Sequence, residues 1–196
     1  MSHERWHPHS DQRRAVDDLL DAAGRAFAEV GVARATMIDV ARVAGCSRAT
    51  LYRYFPNRDA LHLGFVHRAT LRIAASMADA RNAGAPDTIT DRIVGGLAAV
   101  RSDPLLSVWF EPENMAVPIA VSQSSELLHA MTAGIAGELD PDSQEHGEIE
   151  RRGRWLLRCI ISFLAMPGES EEAERAMIES FLVPMIAVEP SLPRSH

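Results

Sequence analysis

Apolar residues recur along this chain at three- and four-residue steps, while the strict alternation that marks a strand is nearly absent. Val16, Leu19, Leu20, Ala23, Phe27 and Val30 fall on one face of a first helix, expected from about Ser10 to Val30. Gly31 follows where a left-handed cap belongs. Thr36 and Asp39 have the spacing of a capping box ahead of Val40, Ala41 and Ala44, so a short second helix is expected to end at Ala44. Gly45 permits a tight turn, and Ser47 can cap a third helix that Pro56 must end, because the residue before proline avoids helical geometry. Asn57 can cap a fourth helix with Asp59 in its positive first turn. Leu61, Phe65, Ala69, Ile73 and Met77 carry that helix to the AGAP break at 83–86.

Beyond the break, the pattern predicts helices at roughly 87–102, 104–110, 118–139, 145–165 and 169–188, with a loop at 140–144 and a frayed tail at 189–196. Pro184 should kink or end the last helix. The chain thus reads as all-α. A three-helix domain with an N-terminal arm occupies 1–56, and a helical domain over 57–196 starts with the long connecting helix.

Composition narrows the class. No apolar run reaches the roughly 18 to 20 residues of a membrane span, and the start is polar, so a cytoplasmic protein without a membrane partner is expected. Cys46 and Cys159 are the two cysteines, too few for a disulfide framework. The formal charge is −7, yet residues 1–60 hold nine arginines against eight acids, so the acidity belongs to the remainder of the chain. Lysine is absent, and every fixed cation is a guanidinium able to bridge two acceptors.

Two short helices joined by a glycine turn have helix-turn-helix geometry, in which the second helix enters the DNA major groove. At about 100° per residue, Leu51 and Phe55 share the inward face of that helix with Ser47 and Tyr54, while Ala49, Thr50, Tyr52 and Arg53 point away. The outward set offers a cation, a hydroxyl, a methyl and a phenol to base edges and phosphates. Arg48 can reach forward into the groove, and Thr36 and Ser47 stand at helix N-termini, where phosphates bind well. Arg5, Arg13 and Arg14 read as an arm adding phosphate or minor-groove contacts.

Residues 19–61, LLDAAGRAFAEVGVARATMIDVARVAGCSRATLYRYFPNRDAL, resemble the N-terminal domain of TetR/AcrR transcriptional regulators. The resemblance rests on Phe27, Gly31, Thr36, Ala41, Ala44-Gly45, Ser47, Thr50-Leu51-Tyr52, Phe55 and Asn57-Arg58-Asp59. It implies that Thr36, Tyr52 and Arg58 contact phosphates, that Arg48, Ala49, Thr50 and Arg53 face the groove, and that Tyr54, where histidine is frequent, touches backbone. Cys46 departs from the usual small aliphatic residue; it is either a packing residue or a thiol sensor.

The same resemblance implies a homodimeric repressor on a pseudo-palindromic double-stranded operator, released by a small apolar or amphipathic effector. The alternative is a ligand-independent activator or DNA-organising protein of the same fold. Ile149, Leu156, Ile160 and Phe163 form one stripe and Met177, Phe181 and Met185 another, expected as a four-helix dimer seam; core packing within one subunit is the other reading. Trp109, Phe110, Met115, Leu127, Leu128, Met131 and Phe163 are candidates for an effector cavity. A metal site at His3, His7 and His9 is not expected. No nucleophile elbow, phosphate loop or dinucleotide fingerprint is present, so neither catalysis nor a cofactor is expected.

Overall fold

The computed structural model describes residues 8–139 and 146–187, and every regular element among them is helical. The N-terminal part holds α1 (Pro8–Val30), α2 (Met37–Ala44), α3 (Arg48–Tyr54) and the long α4 (Arg58–Asn82). There follow α5 (Ile89–Ser102), α6 (Pro104–Ser107), two short 3-10 turns over Val108–Phe110 and Pro112–Asn114, α7 (Ala116–Ser124) and α8 (Glu126–Glu138). The described part closes with α9 (His146–Ala165), then α10 (Glu171–Met177), which passes through a π-helical turn at Ile178–Leu182 into α11 (Val183–Ala187).

The local signals act as expected at the first helix ends. The Asp39 N–H donates to the Thr36 hydroxyl while the Thr36 N–H donates to the Asp39 carboxylate at 2.9 Å, closing the capping box of α2. The Thr36 hydroxyl, which donates to the same carboxylate at 2.6 Å, and then the Thr36 N–H hold the Asp39 carboxyl below its ordinary range. Ser47 accepts from the Thr50 N–H at 3.1 Å and Asn57 from the Ala60 N–H at 2.8 Å, starting α3 and α4. Gly45 closes α2 at φ 65°, a conformation that costs any residue with a Cβ.

Three elements differ from the sequence pattern. The helix expected over 118–139 is two helices, because Ser125 accepts from the Leu128 N–H and starts α8 there. The arginines Arg13 and Arg14 lie exposed on α1, which already begins at Pro8; His3, Arg5 and His7 lie outside the described residues, as do the expected loop and tail. Pro184 does not end the last helix. The Val183 N–H reaches back to the Ile178 carbonyl, and this one-residue slip absorbs the proline that an uninterrupted α-helix would not tolerate.

Two cores result. The first gathers Leu19, Phe27, Val40, Leu51, Phe55, Leu61 and Phe65 with Leu106, Trp109 and Val121, so packing continues across the expected boundary near residue 56. Trp109 stacks on Phe65 with centroids 5.4 Å apart and meets the ring edge-on geometry of Phe27 at 5.5 Å, joining α1 and α4 to the turn after α6. The second core sets Ile93 and Leu97 of α5 against Leu156 and Leu164 of α9 and Ile178, Leu182 and Ile186 of the last helix. Partly buried ion pairs lace its edges: Arg101 binds Glu174 at 2.6 Å and Arg175 binds Asp91 at 2.8 Å. Helices α8 and α9 approach so closely that a Cβ on Gly153 would stand 2.5 Å from the Ala133 backbone nitrogen.

Candidate nucleic-acid interface and apolar cavity

The side chains of α3 divide as the wheel requires. Leu51 is fully buried and Phe55 nearly so, whereas Arg48, Ala49, Tyr52 and Arg53 are exposed. Burying Leu51 and Phe55 anchors the helix by about 1.5 to 3 kcal/mol each, enough to hold a two-turn segment that could not persist alone. Thr50 is half-buried, and its hydroxyl shares a 2.9 Å hydrogen bond with Ser47 at the N-terminus of α3. Tyr54 is also half-buried; the Arg53 guanidinium lies 5.0 Å from its ring centroid and donates to its hydroxyl at 3.4 Å. Thr36 is exposed at the start of α2, and beside it Ile38 stands 56% exposed, an apolar surface residue that the sequence pattern did not single out.

Arg58 does more than stand at the start of α4. Its Nη1 donates to the Ala33 carbonyl at 3.0 Å, across the turn that leads into α2. From the other side the Ala33 N–H donates to Oδ1 of Asn114 at 3.0 Å, and Asn114 Nδ2 donates to the Val108 carbonyl at 2.8 Å. Ala33 of the helix-turn-helix unit is therefore gripped on its carbonyl by α4 and on its N–H by Asn114, in the turn that follows Trp109. Asn114 is 1% exposed, and nothing in its local sequence marks this role, because its partner lies far away in the chain. Nearby, burial lowers the His62 imidazole from 6.5 to about 4; the Arg58 charge pushes the same way and Asp59 opposes it.

Electrostatics favour the same face. Among the described residues, the ion pairs of this region join Arg42 to Glu29 and Arg68 to Asp17 and Asp21, leaving Arg48, Arg53 and Arg58 to project their charge outward. Cys46 is a half-buried free thiol packed against the first core, as a packing residue would be.

Behind this unit lies a cavity of about 590 Å³ between α4, α5, α7, α8 and α9. Its walls include Val66, Ala69, Ile73 and Met77 of α4, Leu97 and Val100 of α5, and Ile160, Ile161 and Leu164 of α9. Trp109, Phe110, Leu128 and Met131 line it, as the sequence pattern anticipated; Met115, Leu127 and Phe163 do not. Phe163 instead packs in the second core, and its carbonyl accepts from Arg101 at 2.8 Å. The rim carries Arg81, Asp87, Arg92 and Glu138, with Arg92 paired to both acids and Arg81 to Asp87 at 3.5 Å.

The two expected seam stripes fare differently. Met177, Phe181 and Met185 are 47%, 71% and 65% exposed and form one apolar strip along α10 and α11. On α9, however, Leu156 is fully buried within the subunit, Ile160 faces the cavity, and Ile149 and Phe163 are half-buried. The outward face of α9 instead presents Trp155 and, just past its end, Met166, 48% and 70% exposed. The stripe read from the sequence was the inward one, since the more continuous apolar face is the one a subunit keeps for its own core.

Comparison with known proteins decides the family. The profile of bacterial regulatory proteins of the tetR family matches residues 19–63, the stretch from α1 to the start of α4. The uncharacterized HTH-type transcriptional regulator Rv1255c of Mycobacterium tuberculosis is 39% identical over 176 residues, covering 88% of this chain and 85% of the relative. The chain belongs to the TetR family. It is a helix-turn-helix transcriptional regulator of DNA-binding type. The HTH-type transcriptional regulator AlkX of Mycobacterium tuberculosis is 26% identical over 196 residues, covering 90% of this chain and 88% of the relative. Among solved structures, the TetR family repressor AlkX from Dietzia sp. strain DQ12-45-1b, implicated in biodegradation of n-alkanes, superposes with a TM-score of 0.59 at 22% identity, over 93% of this chain and 97% of that one. The TetR fold accounts for the order of an N-terminal helix-turn-helix unit and a following helical body. Among the described residues, no single helix is long and apolar enough to cross a membrane.

Proposed function

We propose that this TetR-family regulator acts as a repressor: a homodimer binds a pseudo-palindromic operator and is released when a small apolar or amphipathic ligand fills the cavity. The observation that carries the reading is Trp109, which lines the cavity and is at the same time packed on Phe27 and Phe65 in the core beneath α3. A ligand that displaces this ring disturbs α4 and the Asn114 grip on Ala33 together. Arg48, Ala49, Thr50 and Arg53 then read base edges in the major groove, while Thr36, Ser47, Tyr52, Tyr54 and Arg58 meet the phosphate backbone. The domain that begins at residue 57 holds the ligand and the second subunit.

A second copy covers the strip of Met177, Phe181 and Met185 together with Trp155 and Met166, giving a four-helix seam from α9 and the last helix of each subunit. Half-sites then lie about one DNA turn, ~34 to 36 Å, apart. Coupling of only about 1 to 3 kcal/mol between cavity and operator changes affinity by roughly 5- to 150-fold. Fluorescence anisotropy on operator DNA tests the reading. A compound that raises the thermal midpoint of the protein must also weaken operator binding within that range; if every stabilising compound leaves operator affinity unchanged, release by ligand is wrong.

A further inference from the structure

We infer that Tyr54 sets base preference through its neighbour, as the platform that holds the Arg53 guanidinium in one direction on the surface of α3; this rests on the reading that Arg53 faces the major groove. The guanidinium carbon lies 5.0 Å from the Tyr54 ring centroid, and Nη2 donates to the phenol oxygen at 3.4 Å. Consecutive helical residues point about 100° apart and do not face each other. The Arg53 stem therefore bends across the helix surface to bring its head to the ring. Among the described residues, no carboxylate lies within ion-pair distance of Arg53, so the ring directs the cation without neutralising it.

The platform is fixed and the cation is not. Tyr54 is half-buried and packs against the first core, where Leu51 and Phe55 of the same segment are buried. Arg53 is exposed, and without the ring its long stem would sample many rotamers in water. A guanidinium reads guanine through two parallel bonds to O6 and N7, a contact that demands direction as well as charge. The bond to the phenol takes one of the five guanidinium N–H donors and leaves the others for a base edge. A cation–π contact at an exposed site favours its conformer about two- to fivefold. Apparent affinity scales with the fraction of free protein already competent, so the same factor enters base reading at each half-site.

The test takes the inverted repeat that the full wild-type chain selects from a random duplex pool, each single-position variant of its half-site, and a random duplex of equal length, with affinities read by fluorescence anisotropy. Arg53→Ala should abolish the preference at one position of the half-site. Tyr54→Leu keeps an apolar side chain towards the core and removes the ring; it should cut the preference at that same position about two- to fivefold per half-site and leave the other positions alone. Tyr54→Phe keeps the ring, so it should lower affinity for every duplex alike, through the lost hydroxyl, and retain the preference. The double variant should lose no more preference than Arg53→Ala alone. Without DNA, ring current should hold the Arg53 side-chain proton resonances upfield in the wild type and in Tyr54→Phe, and Tyr54→Leu should release them. If Tyr54→Leu does not fold, Tyr54→Met takes its place. Equal losses on the selected repeat, its variants and the random duplex for the ring-free variant, or unshifted Arg53 protons in the wild type, overturn the inference and leave base reading by Arg53 in place. If no repeat is selected, or Arg53→Ala changes preference at no position, base reading by Arg53 falls and the inference falls with it.

Discussion

Replacing Asn114 with alanine isolates the link between the helical body and the helix-turn-helix unit. The side chain is 1% exposed, accepts from the Ala33 N–H at 3.0 Å and donates to the Val108 carbonyl at 2.8 Å; its 3.5 Å approach to Glu111 is too long to add much. Truncation strands the Ala33 N–H donor, a loss of about 1 to 3 kcal/mol that water partly relieves because Ala33 is half-buried, while the half-buried Val108 carbonyl keeps the Glu111 N–H at 3.4 Å. A destabilisation of about 1 to 3 kcal/mol follows. Arg58 alone then holds Ala33, through the carbonyl, and the entry to α2 loosens. Urea unfolding at fixed protomer concentration measures the first effect and operator titration, under conditions where the variant is fully folded, the second. A loss below about 1 kcal/mol would refute the burial reasoning. Undiminished operator affinity would show that the grip on Ala33 holds the fold without positioning the DNA-contacting helices.

Other outcomes follow from the same geometry. Because the folded His62 has its pKa near 4 against 6.5 unfolded, the unfolded chain binds more protons between those values; stability is complete above pH 6.5 and falls by up to about 3 kcal/mol as pH drops towards 4. His62→Phe should lose that slope, and parallel stability curves for the two proteins between pH 6.5 and 5 would contradict the assignment. Tyr52→Phe should weaken operator and random DNA about equally, whereas Arg48→Ala should also relax sequence preference; equal losses on both DNAs for Arg48→Ala would remove it from base reading. Phe181→Glu, on the exposed strip, should shift sedimentation towards monomer with the helical content intact, and an unchanged dimer mass would place the seam elsewhere.

The N-terminal unit was legible because its signals are local. Thr36 with Asp39, Ser47 and Asn57 each cap a helix through bonds to residues three positions on, and Leu51 with Phe55 share a face by spacing alone. Farther along, the deciding contacts are distant. Ser125 breaks an apolar run into two helices while its hydroxyl meets His67 at 2.8 Å, a partner no window of sequence contains. The same holds for Asn114 and Ala33. Apolar periodicity on α9 revealed a stripe without saying which way it points: Leu156 and Ile160 turned inward, leaving Trp155 outside. In the last helix Met177, Phe181 and Met185 lie exposed on the strip read from their spacing, whereas the π turn that carries the chain past Pro184 left no mark in the pattern.

Selection of bound sequences from a random double-stranded DNA pool by the purified protein tests the reading of α3 in a symmetric pair most directly. An inverted repeat should emerge, with half-site centres about one helical turn apart and base preferences that Arg48→Ala blurs. Enrichment of no motif, or of a single half-site without its inverted partner, would contradict operator recognition by a homodimer.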